Sequence, residues 1–264
     1  MVYGMRNVFR QFAELFPDEP ERLAILKLRW PDEFACPVCG SNEPPMVTGR
    51  QGLKCRARGA HPISITAGTL FERSHVPLRS WFQVMKAMVG RVEPVSAVEL
   101  SRTLHLRRQT IMDMMEKLRR LMQRPSVARL TGRVQVDGLV LPYSGGGDPW
   151  VIFIAVELRG GRAGQVALRA LSDLSPDTVM QCVEELVSGG STVETNGSPE
   201  FASLSLLGDK HRIVRVRDIA GSGMLPACSA IAGQITRWMT GTYKSAMDRK
   251  NLGLYLAEIA FRIS

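Results

Sequence analysis

Three cysteines near the N-terminus have the spacing of zinc ligands. Cys36 and Cys39 are three residues apart, and fifteen residues separate Cys39 from Cys55. Two thiolates so spaced can hold one Zn²⁺ at about 2.3 Å, and the longer gap is typical of a zinc ribbon whose second Cys-x-x-Cys pair supplies the remaining ligands. That second pair is incomplete, because Arg58 stands where the fourth sulfur belongs and a guanidinium cannot ligate a cation.

Three outcomes remain open for the fourth zinc position. His61, six residues after Cys55, can complete the tetrahedron, or a water molecule can fill the position. The third outcome is that the metal is lost and that packing holds the ribbon. The remaining cysteines, Cys182 and Cys228, have apolar neighbours and are predicted core residues. The odd total of five argues against a disulfide framework.

Two consecutive amphipathic helices are predicted over residues 96–124, with a break near His105. Residues 96–99 (Ser-Ala-Val-Glu) fit a capping box. The pair fits a helix-turn-helix, whose second helix lies in the major groove with its N-terminal residues at base edges or phosphates. The alternative is an ordinary helical hairpin with a solvated basic face, since His105 stands where Gly often makes the turn. The predicted DNA contacts are Arg107, Arg108, Gln109, Thr110, Lys117, Arg119 and Arg120.

The positive charge of the chain is concentrated in its first half. The net charge of the 264 residues is +9; residues 1–130 contain 21 Lys or Arg and 12 Asp or Glu, whereas residues 131–264 contain 13 of each. This asymmetry favours a polyanion-binding first half joined to a neutral second half, with a solvated basic surface as the alternative. We expect a cytoplasmic protein without a membrane segment, because no apolar run approaches the roughly 18–20 residues of a membrane span.

The pattern along the chain predicts four segments and an α/β fold. Residues 1–33 read as helical, residues 34–70 as zinc-ribbon-like, residues 77–130 as the helix-turn-helix region, and residues 133–264 as a mixed-sheet domain. The elements predicted in the last segment are strands near 134–137, 150–156, 165–170 and 191–195, and helices over 175–187, 225–240 and 248–261.

A set of short words, collinear over nearly the whole chain, carries a family resemblance. The words are Cys-Pro-Val-Cys-Gly-Ser at 36–41, Pro-Leu-Arg-Ser-Trp-Phe at 77–82, Val-Asp at 136–137, Lys-His-Arg-Ile-Val at 210–214, Arg-Trp-Met-Thr-Gly-Thr-Tyr at 237–243 and Tyr-Leu-Ala-Glu-Ile-Ala-Phe-Arg at 255–262. With them the chain resembles bacterial insertion-sequence transposases of the zinc-ribbon type. The resemblance implies an N-terminal zinc ribbon, a helix-turn-helix and an RNase H-like DDE nuclease domain, with double-stranded DNA as partner and self-association into a homo-oligomer.

The resemblance also implies a metal-dependent nuclease site. In such nucleases two Mg²⁺ or Mn²⁺ ions activate a water or a 3′-hydroxyl for attack on a DNA phosphodiester, and carboxylates hold these hard cations. Asp137, at the end of the first strand, matches the first catalytic Asp of the family. Asn196, 59 residues later, stands at the Asp of the family's Thr-Asp-Gly triplet, and Gln234 stands where the family has Asn or Glu.

One carboxylate of this degenerate catalytic set therefore remains. An uncharged amide is a poor ligand for Mg²⁺. Among nearby acids, Asp148 lies in a loop and is a weak substitute, and we expect the side chain of Glu194 to point away from Asn196, to the opposite face of the strand. The first hypothesis is a transposase-family DNA-binding protein, nucleoid-associated, whose strand transfer is lost or weakened.

Two other hypotheses stay open. The first is an active Mg²⁺-dependent DDE transposase that recruits another acid beside Asp137. The second is a decayed remnant or a protein-interaction module without a DNA role. Carboxylates that converge on Asp137 would favour the former, and absent or salt-independent DNA binding would favour the latter.

Overall fold

The computed structural model describes residues 2–49, 52–57, 61–91, 93–123, 129–143, 147–214, 223–243, 247 and 250–264. By internal contacts the chain divides into two compact units, Met1–Ala87 and Met88–Ser264. Among the sequence predictions, Arg58, the predicted helix end at 124 and residues 248–249 lie outside the described residues. No helix of the described parts has both the length and the apolar character needed to cross a membrane.

The first unit packs two helices on a small antiparallel sheet. Its elements are α1 (Val2–Leu15), α2 (Pro20–Arg29), β1 (Met46–Thr48), β2 (Gly52–Lys54) and β3 (Pro62–Ile63), and α3 (Leu78–Val89) begins in it. The sheet has the order β1-β2-β3. Phe12 of α1, Leu26 of α2 and Leu53 of β2 are fully buried in one cluster, which also contains Cys36 and Cys55. Apolar packing thus fixes the two ends of the cysteine pattern on one core.

The second unit begins with the predicted helix pair, α4 (Ala97–Leu104) and α5 (Arg108–Met122). Ser96 caps α4, since its Oγ accepts a hydrogen bond from the Glu99 amide at 3.1 Å. The Glu99 carboxylate pairs with Arg91 at 2.5 Å. His105 closes α4 in the left-handed region with φ 53°, so a non-glycine residue makes the turn and the predicted break is confirmed.

A five-stranded mixed sheet forms the centre of this unit. Its strands are β4 (Arg133–Leu141), β5 (Trp150–Arg159), β6 (Arg162–Leu171), β7 (Thr192–Thr195) and β8 (His211–Ile213), in the order β6-β5-β4-β7-β8. Strands β4, β5 and β6 are antiparallel, whereas β7 runs parallel to β4 and β8 parallel to β7. The α/β fold with a mixed sheet is confirmed; β8 was not predicted.

Helices cover both faces of the sheet. The remaining elements are α6 (Pro176–Leu186), a 3₁₀ segment (Pro199–Lys210), α7 (Pro226–Thr240) and α8 (Leu252–Ile263). On β5, Ile152 and Ile154 pack in the cluster of α7 and α8, whereas Phe153 packs in the cluster of α6 and the 3₁₀ segment. This alternation follows from the two-residue period of a strand and makes β5 apolar on both faces.

Candidate functional site

The first candidate site gathers three thiols and one imidazole. The ligand atoms of Cys36, Cys39, Cys55 and His61 all lie within 4.8 Å of one another. The Cys36 Sγ is 3.1 Å from the His61 Nε2, and the Cys39 Sγ is 3.6 Å from the Cys55 Sγ. A tetrahedron with Zn–S bonds of about 2.3 Å has edges of about 3.8 Å, so the four donors fit one Zn²⁺. Of the three outcomes left open for the fourth ligand, the structure favours His61.

Local turns place these donors. The Gly40 amide donates to the Cys36 carbonyl at 2.9 Å, with Gly40 at φ 71°, and the Cys55 amide donates to the His61 carbonyl at 3.0 Å. Burial acts to raise the pKa of Cys36, but hydrogen bonds from the Cys39 and Val38 amides and from His61 outweigh it and lower the pKa to about 6. A thiolate at this position is the form that ligates metal.

The second candidate site centres on Asp137, which lies in the middle of β4 and not at the end of the strand as predicted, because the strand continues to Leu141. The residue is 2% exposed. One carboxylate oxygen accepts from the Gly138 amide at 2.8 Å and the other from the Leu225 amide at 3.2 Å. Leu225 is the N-cap residue of α7. Burial raises the pKa of Asp137 to about 6 against the lowering effect of these two amides, and the Glu200 carboxylate adds to the increase. The remaining carboxylate of the family's set is therefore already held by the backbone.

Asn196 follows β7 on the side of the sheet that Asp137 faces. Its Nδ2 donates to the Gly223 carbonyl at 3.1 Å, and its Oδ1 accepts from the Ser198 amide at 3.0 Å. Gly223 lies two residues before Leu225. Asp137 and Asn196, the first two predicted catalytic positions, thus both bond to the segment that leads into α7.

Within the described parts of the chain, no direct hydrogen bond joins Gln234 to Asp137 or Asn196. The first turn of α7 is what reaches Asp137: Leu225 donates to it, and the Asp137 charge adds to burial in raising the pKa of Cys228. Gln234 lies six residues beyond Cys228, about 9 Å further along the helix axis.

The prediction that the Glu194 side chain points away from Asn196 was wrong. Residues two apart on a strand share a face, so Glu194 lies on the same side of β7 as Asn196. Its buried carboxylate accepts from Arg133 at 2.8 Å and from Gln135 at 3.2 Å, and Arg212 is 3.5 Å away. Glu194 is consequently a paired structural anion beside the site. Gln135 in turn accepts from the Ala227 amide at 3.1 Å and joins the same surface to α7.

The structure contradicts the prediction that Arg119 contacts DNA. It is 6% exposed, its Nε donates to the buried Glu258 carboxylate at 2.7 Å, and its guanidinium lies 4.0 Å from the ring centre of Tyr255. The signal was in the sequence, because Arg119 lies one turn after the buried Met115 on the apolar face of α5. An arginine so buried and paired has no free face for a phosphate.

The other predicted DNA contacts lie on the accessible side of α5. Arg107, Arg108 and Gln109 are exposed at its start, and Thr110 is half-buried. The Gln109 amide donates to Asp113 at 2.8 Å. Lys117 is exposed, and so is Arg120, which pairs with Glu116 at 2.6 Å.

Two further acidic residues near these sites, Glu200 and Glu258, were not among the predicted site residues. Glu200 stands in the first turn of the 3₁₀ segment, four residues after Asn196, and acts on Asp137 through its charge. Glu258 of α8 binds Arg119 of α5 and Arg262 of its own helix, the latter at 2.8 Å. This buried ion-pair cluster joins the helix pair to the sheet domain within the second unit.

Comparisons with known proteins identify two family domains in this chain. The ISXO2-like transposase domain matches residues 129–264, and the transposase zinc-ribbon domain matches residues 17–60. A search of curated proteins finds no match. Among solved structures, 22 chains match. One belongs to the cryo-EM structure of the simian T-cell lymphotropic virus intasome in complex with PP2A regulatory subunit B56 gamma, with 13% identity, a TM-score of 0.35, and coverage of 62% of this chain and 63% of that chain.

The first match spans the whole mixed sheet, Asp137, Asn196 and α7, and the second includes Cys36, Cys39 and Cys55. Both fall in the order that the motifs predicted. The chain therefore belongs to the insertion-sequence transposases with an N-terminal zinc ribbon and an ISXO2-like transposase domain.

Proposed function

We propose that this protein is a transposase-family DNA-binding protein whose cleavage and strand-transfer chemistry is lost or severely weakened. The observation that supports this proposal is the environment of Asp137: the residue is 2% exposed, and both of its carboxylate oxygens accept hydrogen bonds from backbone amides. A pair of Mg²⁺ ions needs several oxygen ligands with negative charge. Asn196 and Gln234 add none, so the residues present do not fit the metal pair that the family implies.

DNA binding is assigned to the exposed N-terminal turn of α5, where Arg107, Arg108 and Gln109 point away from the core. The excess of positive charge in residues 1–130 supports this assignment. Cationic side chains that neutralise phosphates release counterions, so the logarithm of the binding constant falls linearly with the logarithm of salt concentration. Self-association and residence at the nucleoid are further parts of the proposal and rest on family membership.

The DNA test compares two double variants across a salt series. Arg107→Ala with Arg108→Ala should weaken binding of duplex DNA and reduce the salt slope by about 0.9 for each phosphate that the variant no longer neutralises. Arg162→Ala with Arg169→Ala removes the same charge from exposed positions of β6 and should leave the slope unchanged. Equal effects from the two variants, or wild-type binding that ignores salt, would exclude α5 as the DNA contact.

Zinc at the Cys₃His cluster is the second part of the proposal. The cluster would hold Zn²⁺ through Cys36, Cys39, Cys55 and His61, and the metal would supply structure, since all four positions of a tetrahedron are filled by protein. One bound zinc per chain by elemental analysis is the expected result.

The loss of chemistry is tested by nicking assays with Mn²⁺. Wild-type protein should leave supercoiled DNA intact, and so should an Asp137→Ala variant. Wild-type cleavage that Asp137→Ala abolishes would overturn the proposal. The variant Asn196→Asp with Gln234→Asn restores family residues at both positions, and cleavage by this variant alone would place the loss in those two side chains.

An active enzyme is the second candidate function, and Glu200 is the observation that favours it. The charge of the Glu200 carboxylate contributes to the raised pKa of Asp137, so a second acid lies close enough to influence the Asp137 carboxyl. In that case wild-type protein would nick DNA, and Glu200→Gln would remove the activity as fully as Asp137→Ala. Nicking that persists in Glu200→Gln would exclude Glu200 as the recruited acid.

A further inference from the structure

The substitution at position 196 adds a donor that the family's aspartate lacks. The Asn196 Nδ2 donates to the Gly223 carbonyl at 3.1 Å, 27 residues further along the chain. An ionised carboxylate has no hydrogen to donate, so an aspartate here would place an oxygen against the carbonyl oxygen. The Oδ1 bond to the Ser198 amide needs an acceptor only, and either residue could make it.

The segment held by Asn196 is the one that covers Asp137. Gly223 has φ 75° and is followed, two residues later, by Leu225, whose amide donates to the Asp137 carboxylate at 3.2 Å. Asp137 and Asn196 thus fasten the entry of α7 to β4 and to the end of β7 by two hydrogen bonds of opposite direction. A buried carboxylate is costly to leave unpaired, and a partly buried carbonyl also gains from a donor, so each bond makes the other more favourable.

We propose that Asn196 is a positioning residue: its side-chain amide holds residues 223–225 in the conformation in which the Leu225 amide closes over Asp137. The Asn196 side-chain amide thus adds a hydrogen bond to this fold, besides lacking the charge of a metal ligand. Restoring aspartate at this position therefore opens the α7 entry as well as adding charge. Both hydrogen bonds lie within the chain, so they can be tested whether or not the protein binds DNA.

Amide hydrogen exchange on the full-length protein separates the parts of this proposal. In Asn196→Ala and Asn196→Ser, exchange of the Leu225 amide should rise about tenfold, because the hydrogen bond to the partly buried Gly223 carbonyl is removed and the segment opens locally. Asn196→Ser keeps an acceptor for the Ser198 amide, so the Ser198 amide should stay protected in it. In Asn196→Asp the Leu225 amide should exchange faster still, because oxygen faces oxygen.

Two controls show whether the effect is local and specific. The Ile154 amide, in the centre of β5, should exchange at the wild-type rate in all three variants, which excludes global destabilisation as the cause. Asn7→Asp makes the same chemical change at an exposed position of α1 and should not alter exchange at Leu225.

Three results would overturn the proposal. An unchanged exchange rate of the Leu225 amide in Asn196→Ala would show that the Asn196 side chain does not hold residues 223–225 in place. Faster exchange in Asn196→Asp alone would assign the effect to charge beside Asp137. Wild-type exchange in Asn196→Ser would assign it to the turn at Ser198 and not to the bond with Gly223.

Discussion

In the first unit three thiols and an imidazole face one another, whereas in the second unit each buried carboxylate faces donors of the chain itself. Asp137 accepts two backbone amides, Glu157 accepts Arg159 and the Thr131 amide, Glu194 is paired with Arg133, and Glu258 binds Arg119. Among the described residues, the cysteine cluster brings four possible metal ligands together, whereas the buried carboxylates of the second unit are separate and each accepts hydrogen bonds from the chain.

The two sites respond differently when one ligand is replaced. A tetrahedral zinc site accepts sulfur or nitrogen, so a His can replace the missing fourth Cys without loss of donor number. A site for a pair of hard cations depends on carboxylate charge, which an Asn or Gln does not supply. Both sites depart from the family pattern, but only the first keeps a complete donor set.

The largest expected effect is on the cysteine cluster. Removing zinc with a chelator, or changing Cys55→Ser, should unfold the first unit, because structural zinc sites contribute about 10 kcal/mol or more of binding energy to folding in small domains. Circular dichroism of the first unit's helices and zinc content would measure it. His61→Gln should also release zinc, whereas His75→Gln, at an exposed histidine, should not. Zinc retained in full by His61→Gln would remove His61 from the site.

The next effect is at the ion pair of the second unit. Arg119→Met leaves Glu258 with Arg262 as its partner and should lower the free energy of unfolding by about 3 kcal/mol, because a buried charge loses a close partner. Urea denaturation is the measurement. Arg120→Met, which breaks an exposed pair with Glu116, should cost less than about 0.5 kcal/mol. If both variants lowered the free energy of unfolding equally, the buried pair would contribute no more to stability than the surface pair.

A smaller effect concerns the pH dependence set by Asp137. Its pKa is about 6 in the folded protein against 3.8 for the free group, so the native state binds more protons between these values. Stability contributed by this group is present below about pH 4 and is lost as the pH rises to about 6. Asp137→Asn should therefore gain stability relative to wild type across this range, by at most about 3 kcal/mol. The measurement is the melting temperature of wild type and of Asp137→Asn from pH 4 to pH 8. A difference between the two proteins that does not change with pH would contradict the raised pKa of Asp137.

Much of the architecture was predictable because its signals are local. The alternation at 134–137, the apolar run at 150–156 and the cap at Ser96 each depend on neighbours within a few residues. The strand β8 was missed because three residues, two of them basic, carry no period. Likewise the 3₁₀ segment has no clear helical period, since Gly208 interrupts it with φ 58°.

From its amino-acid sequence the chain could be assigned its cysteine spacing, the order of most of its helices and strands, its basic first half and the two predicted catalytic positions, Asn196 and Gln234, that depart from the family pattern. Only the folded chain shows that Arg119 binds a glutamate 139 residues away, and that the amide bound to Asp137 belongs to Leu225, 88 residues later. Spacing along a chain constrains what a helix or strand can present on one face. Which partner is packed against that face depends on contacts between distant segments, and those contacts leave no periodic trace in the sequence.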